Sequence, residues 1–471
     1  MKRPLPLLAL ALLPLAAAHA QTDPASEIRA GRAALVDAHP REARERFAAA
    51  LAQPGLPRAE RYAAALGLGR AALWLGDYAA AAGAFQLARE QAEDEAARQA
   101  ATTGLAQALN AQDYPRQAYA LVAPYAKGEA RPTLELLRAA QAVGWQDKSP
   151  GYLAAATPPA EQGYLGTQYR LSTDDMRYAL APRVDAGTDF SHDSENLDTW
   201  RVGAAFLGAP IARDGLVQRW GASADTTHVD DDGRSRRVND AALLAQLRAG
   251  DSHYFDLALG AGRSGSWTFL QGYARWTLQP NDRFSVSAAA ERAPILSAPA
   301  IDHRLAYDTY SVSTSLRPAT HLYVLPTYYR QTFSDGNRRD GGTLRVVLSP
   351  YDIPDTRAAL GAELSGRIYH SDQPSRGVYF NPANYRSAQV GLIGVYSLTP
   401  AWRLHAVAST GRQVINGTGA RIYTLGLTLD GRLPHNGRLQ LRLGRSSVAG
   451  INQGGSGYWN NTVGLSISYP L

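Results

Sequence analysis

The 471 residues contain no cysteine, which excludes disulfides, thiolate metal sites and thiol catalysis. Lysine is almost missing too. Beyond the N-terminus only Lys127 and Lys148 occur, so the cations are nearly all arginine. The formal charge is only +6, and arginines interleave with acidic residues instead of forming a block, so there is no clustered nucleic-acid footprint. After the first twenty residues no apolar run approaches the ~20 residues a membrane helix needs. Any membrane crossing would have to be a closed β-barrel, because hydrocarbon offers no partner to open backbone groups. Histidines are few and none pairs with another at metal-ligand spacing, and no serine lies in a Gly-x-Ser-x-Gly elbow. No cofactor, metal or catalytic residue is therefore expected, and the chain does not read as an enzyme.

What is present divides the chain. Lys2 and Arg3, an apolar run from Leu5 to Ala17, and Ala18-His19-Ala20 have the three zones of a cleaved secretory signal peptide, residues 1–20. Residues 21–150 are rich in Ala, Leu, Glu and Arg at helical spacing. They also repeat: Leu35, Leu73 and Leu109, and likewise Phe47, Phe85 and Leu121, recur at intervals of 38 and 36 residues. The pattern resembles tetratricopeptide repeats, stacked helix pairs with a concave face for a partner or glycan. Trp74, Tyr78 and Tyr114 read as core. Residues 151–177, opened by Ser149-Pro150-Gly151 and Thr157-Pro158-Pro159, read as a linker.

From residue 178 to 471 the period drops to two. Val463, Leu465, Ile467 and Tyr469 alternate with Thr462, Gly464, Ser466 and Ser468, and Leu439, Leu441 and Leu443 with Arg438, Gln440 and Arg442. Leucine on one face and arginine on the other suits lipid outside and water inside. Sixteen such segments can be counted, an even number, as in bacterial single-chain outer-membrane barrels. Tight turns are expected near 279–282, 317–320 and 398–401, and longer outer loops at 293–304, 333–342, 370–384 and 448–457. The expected fold is thus N-terminal tetratricopeptide-like helices followed by a 16-stranded antiparallel transmembrane β-barrel.

Alternation turns Arg183, Asp185, Asp189, Arg201, Arg219, Asp225, Asp256, Tyr273, Arg275, Glu363, Arg367, Arg403 and Arg442 inward, as pore-lining candidates, with His405 beside Arg403. Both signs are present, so a polar, wet lumen is expected, not one sealed by apolar packing. Such a lining suits passage of a long hydrophilic solute through many weak contacts.

Two outer-loop motifs, Ser334-Asp335-Gly336-Asn337-Arg338-Arg339 and Tyr379-Phe380-Asn381-Pro382, carry a family resemblance. With the layout, they resemble outer-membrane porins that export poly-N-acetylglucosamine- or cellulose-like exopolysaccharide for biofilm matrix. The resemblance implies polymer moving through the lumen and helical repeats in the periplasm meeting synthase or polysaccharide-modifying components. It also implies insertion by the barrel-assembly machinery into outer-membrane lipid. The helical region, about 125 residues, is far shorter than in long members of that family. A structural, adhesive or receptor barrel without transport is the competing expectation.

Overall fold

A computed structural model describes residues 23–159, 163–353, 356–374 and 377–471. The expected signal peptide lies outside these residues. By internal contacts the chain divides into two units after Gly104.

The first unit contains α1 (Pro24–Val36), α2 (Pro40–Leu51), α3 (Arg58–Trp74), α4 (Tyr78–Gln91) and most of α5 (Glu95–Ala111). Helices α1 and α4 start where a short acidic side chain caps a free amide: Asp23 accepts from Ala25 N and Asp77 from Ala80 N. The 38-residue interval has a packing cause. Phe47 is fully buried between Gly31 and Gly67, and Phe85 is buried between Gly69 and Gly104. A Cβ on Gly67 would lie 2.3 Å from the Phe47 ring, so each ring fits only because its neighbours have no side chain. Gly67→Ala should therefore cost about 1–3 kcal/mol by overpacking. Gly83→Ala, where a Cβ meets nothing within 4 Å, should stabilise by up to about 1 kcal/mol through helix propensity. Thermal loss of helical circular dichroism in the detergent-folded mature chain separates the two. Trp74 corrects the sequence reading: it ends α3 57% exposed, not in the core, because the interior positions are taken by alanine and glycine.

The second unit begins within α5 and continues through α6 (Pro115–Val122), α7 (Ala130–Val143), α8 (Pro150–Ala155) and α9 (Tyr164–Leu180). The stretch read as a linker, 151–177, therefore holds helix. Leu165, Tyr169 and Met176 recur at helical spacing among polar residues, and Tyr169 and Met176 are buried. Met176 packs with Leu137, Ala140 and Val143 of α7. The third repeat position also shifts: Val122 is buried where Leu121 is only half-buried.

The barrel starts at Arg183, not 178, once Pro182 has ended the helical path. Its staves are β1 (Arg183–Asp193), β2 (Leu197–Leu207), β3 (Leu216–Asp231), β4 (Arg234–Ala249), β5 (His253–Ser264), β6 (Trp267–Asn281), β7 (Phe284–Pro294) and β8 (Ala306–Ala319). They continue with β9 (Leu322–Phe333), β10 (Arg338–Asp352), β11 (Ala358–Ser371), β12 (Asn384–Thr399), β13 (Trp402–Ile415), β14 (Thr418–Arg432), β15 (Arg438–Ser446) and β16 (Asn460–Pro470). A three-residue strand, Ile211–Arg213, pairs with the start of β3. Each stave is antiparallel to the next, and β1 pairs with β16 from Arg183↔Pro470 to Asp193↔Asn460, so the sheet closes.

One rim, the helix end, carries Arg183 and the chain's last residue; the other is the loop end. Strand pairs close tightly at the loop end where the sequence supplies left-handed residues. Asp232-Gly233 and Asn416-Gly417 have φ of 54°, 79°, 50° and 91°, the pattern of two-residue hairpins. Long loop-end connections span 295–305, 372–383 and 447–459. The expected loop 333–342 shrinks to 334–337, because β9 and β10 pair down to Thr332↔Arg338.

The outward face is apolar, with Val202, Leu243, Leu259, Leu344, Leu392 and Leu427 exposed at mid-height. Aromatics flank this belt: Phe190, Trp200, Tyr310 and Tyr328 toward the loop end, and Phe206, Trp220, Tyr351, Tyr396 and Tyr469 toward the helix end. Two aromatic girdles around a leucine and valine belt match the two interfaces of a bilayer.

Candidate functional site: the lumen and its two closures

Register places all thirteen pore-lining candidates, with His405, on the face opposite that belt. They are not left as free charges. Arg201 meets Asp225 at 3.0 Å, Arg442 meets Asp189 at 2.7 Å, and Arg183 meets Asp185 at 3.1 Å. Glu363 is bound by Arg345 at 2.6 Å. Arg275 lies over the Tyr273 ring at 5.1 Å and opposite Asp256 in the ladder. Arg403 faces Asp430, which His405 approaches at 3.5 Å. Alternation also brings in residues the sequence reading passed over. Asp240, bound by Gln271 at 2.7 Å, and Gln440, bound to Asp430 at 2.8 Å, belong to the same wall. The middle of the lumen is thus a polar surface of paired charges.

Two candidates serve elsewhere. Arg219, buried, donates to the carbonyls of Gly208 at 2.6 Å, Ala179 at 3.3 Å and Ala181 at 2.7 Å, tying the end of α9 to the wall. It belongs to the closure at the helix end. Asp175 of α9 meets Arg432 at 2.8 Å and Arg438 at 2.5 Å, and Tyr178 Oη lies 2.5 Å from Ser468 Oγ. In the 3₁₀ turn Gln146–Lys148, Asp147 meets Arg248 at 2.6 Å and Lys148 meets Asp251 at 2.5 Å. Asp282, in the β6–β7 turn, accepts from Arg116 N and Gln117 N and so caps α6. Burial pushes its carboxyl up, against the pull of those amides. Arg317 and Tyr323 hold the α5–α6 junction through Gln112 and Asp113. These anchors run from β3 to β9 and resume at β14–β16, so α6–α9 lie across the opening. Beneath them is a cavity of about 690 Å³ lined by Gln141, Gln146, Asp175, Arg183, Arg438 and Ser466, among others.

Arg367 belongs to the other closure. The β7–β8 and β15–β16 loops start half a circumference apart, yet Leu296 N donates to Asn452 Oδ1 at 3.3 Å. That contact can only be made across the mouth. The β11–β12 loop joins both, through Ser297 Oγ to Val378 O at 3.1 Å and Phe380 N to Ile451 O at 3.1 Å. Apolar residues fill part of the space below: wall residues Val229, Val238 and Phe269 pack with Ile301, and loop residues Ile295 and Leu305 pack with Phe333 and Tyr379. The expectation of a lumen not sealed by apolar packing therefore fails at this end, where the loops bring their own hydrophobic residues inward.

The two loop motifs meet inside this cap. Asn337, 1% exposed, donates to Tyr379 Oη at 2.8 Å and Asn381 Oδ1 at 3.0 Å, while its own Oδ1 accepts from Gln373 N at 3.0 Å. Tyr379 in turn donates to Asp335, and burial pushes its phenol up to about 12. Ser334 Oγ accepts from Ala306 N, and Gly336 turns the chain at φ 89°. Arg339, fully buried, donates to Phe380 O at 2.8 Å, Gln331 Oε1 at 3.2 Å and Ser371 Oγ at 3.3 Å, and stacks over Tyr369 at 4.4 Å. Arg367 lies over Tyr329, Tyr369 and Tyr385. Pro382 is buried and Arg338 is exposed on the outward face.

A closed sixteen-stave wall with an apolar outside and a polar inside invites comparison with known barrels. A solved bacterial polysaccharide outer membrane secretin superposes with a TM-score of 0.52 at 12% identity, over 62% of this chain and 99% of its own. This is an outer-membrane barrel fold. CdiB from Acinetobacter baumannii (TM-score 0.37, 10% identity, 61% of this chain and 60% of its own) and Pseudomonas aeruginosa OccD3 (OpdP) (0.36, 10%, 62% and 91%) are more distant barrels. No family model matches the chain, and no curated protein matches its sequence.

The cap has one pH-sensitive latch outside the spanning strands. Asp302, in the loop helix α10 (Ala298–Asp302), meets Arg236 at 2.6 Å, and this hydrogen bond holds its carboxyl below the ordinary range. A depressed carboxyl stabilises above its unfolded value and loses that contribution as pH falls through the folded one. The latch should hold at neutral pH and weaken only below about pH 4. Both side chains are more than a third exposed, so its worth is at most about 1 kcal/mol. Hydrogen exchange of 295–305 should rise modestly between pH 5 and 3 in the native chain, beyond the intrinsic change, and not in D302N.

Proposed function

We propose that the chain exports a hydrophilic exopolysaccharide through the barrel, without bond chemistry of its own. The observation that carries the reading is the inner wall: carboxylates and arginines paired along its middle, shut at one end by loops and at the other by helices. A paired, polar wall hydrates a sugar polymer and offers many weak contacts that are easily left. Reversible closures keep a wide conduit from leaking between polymers. The meeting of the two loop motifs in one network, and the likeness of the barrel to a polysaccharide secretin, support the same reading.

On this reading the barrel sits in the outer membrane with its loop end outward, after export by a cleaved signal peptide and insertion by the assembly machinery. The helices from residue 23 onward face the periplasm, where they meet synthase or polymer-modifying components and the arriving chain. The polymer is poly-N-acetylglucosamine- or cellulose-like and contributes to a biofilm matrix.

Deleting the gene should abolish surface polymer while synthesis continues and polymer accumulates behind the outer membrane. Unchanged surface polymer would leave the barrel as an adhesive or structural protein plugged by its own loops.

A further inference from the structure

Arginine facing lipid is costly at the bilayer midplane and far less so at the interfaces, where water and anionic headgroups can meet its charge. Near the loop-end rim two outward arginines have carboxylates: Arg292 reaches Asp308 at 2.8 Å and Arg330 reaches Asp340 at 2.7 Å. Four others do not. Arg386 on β12, Arg412 on β13, Arg421 on β14 and Arg445 on β15 lie within four residues of that rim and are exposed. Arg412 stands directly opposite Arg421 in the ladder, and Arg386 is one diagonal step from Arg412. Their outward neighbours Asn384, Thr410, Val414, Tyr423 and Asn461 include no acid. Among the described residues no carboxylate pairs with any of the four.

Like charges placed directly opposite repel, so the fold holds together a cluster that needs an anion from outside. Its height identifies the source. Val390, Leu392, Leu425, Leu427 and Leu443 begin the apolar belt immediately below, so the guanidiniums stand at headgroup level. Arg445 is already aimed, by Tyr423 Oη at 2.8 Å and Asn461 Oδ1 at 3.2 Å. A groove of about 690 Å³ beside Arg386, lined by Tyr328, Ile368, His370, Asn384 and Val414 and by Asp340, whose charge Arg330 already meets, offers room for the lipid itself.

We propose that Arg386, Arg412, Arg421 and Arg445 bind the phosphate groups of an anionic lipid in the leaflet at the loop end. The guanidinium fork matches phosphate oxygens in pairs, which a lysine would not, in keeping with a chain that uses arginine throughout. The inference rests on the membrane barrel alone and is independent of what the lumen carries.

The test places the full mature chain in phosphatidylcholine nanodiscs doped with lipid A, either phosphorylated or chemically dephosphorylated, and reads retained lipid by native mass spectrometry. Native protein should hold the phosphorylated lipid, R412Q/R421Q should hold at least about tenfold less, and R292Q should be unchanged. The dephosphorylated lipid should be lost by all. R412K/R421K, which keeps the charge, should bind more weakly than native but better than the glutamine pair. Heat-modifiable gel mobility confirms that each barrel is folded. Equal retention by R412Q/R421Q, or retention of dephosphorylated lipid, would overturn the proposal. Displacement by millimolar inorganic phosphate would overturn the lipid assignment in favour of a free anion.

Discussion

In planar bilayers, removing either closure alone should raise ion conductance by less than about twofold, while removing both should raise it by more than about tenfold. The two closures lie in series, and the flow through a series path is set by its narrowest part. At the loop end three loops meet across the opening, with Leu296 bonded to Asn452 and Phe380 to Ile451. At the helix end α6–α9 are anchored at Asp282, Arg248, Arg219 and the Asp175 pair with Arg432 and Arg438. The variants are a chain shortened to begin at Ala181, a chain with 373–382 and 448–458 replaced by short glycine turns, and their combination. A full rise from the loop deletion alone would mean that the helices leave the path open.

Arg339→Leu should have the largest effect of any single substitution in the cap. The guanidinium is fully buried, and its loss strands Gln331 Oε1, Ser371 Oγ and Phe380 O without their donor. Each stranded buried acceptor costs about 1–3 kcal/mol, and breaking a buried charged network costs about 3–5 kcal/mol in all. Because the barrel ladder itself is untouched, the cost should fall on the loops. Opening of the 372–383 loop should rise by about a hundredfold or more, read as trypsin cleavage there while heat-modifiable mobility persists. Arg339→Lys should fall between, since it keeps charge but loses the fork. Asn337→Ala, which removes bonds to Tyr379, Asn381 and Gln373, should open the same loop by a smaller factor.

The barrel was legible because its signal is the simplest a sequence carries. A period of two, with leucine against arginine, fixes which face each residue takes, so the inward assignment of Arg201 or Glu363 needs only parity. Starts such as 216 and 234 coincide with the ladder because Asp214-Gly215 and Asp232-Gly233 turns mark them. Parity does not say who faces whom across the lumen. The pairing of Arg442 with Asp189 joins residues 253 positions apart and depends on the closure of β1 on β16. The cap was hidden for the same reason. Asn337 and Tyr379 look like turn residues one at a time, and only the fold of three loops toward one axis makes them a network. In α9 the helical signal was carried by Leu165, Tyr169 and Met176 alone, and prolines upstream suggested a linker. Trp74 departs from the rule that large apolar residues are buried, because this unit's interior is built mostly from alanine and glycine around Ile28, Phe47 and Phe85.

With no native cysteine to interfere, the cap can be locked directly. The backbone bond from Phe380 N to Ile451 O sets the two loops at about strand spacing, ~5 Å, within reach of a disulfide. In cells carrying F380C/I451C, surface polymer is expected to stop appearing under oxidising conditions and to resume when the bond is reduced, with either single cysteine unaffected. Undiminished secretion through a barrel shown to be fully crosslinked would mean that the polymer does not pass between these loops.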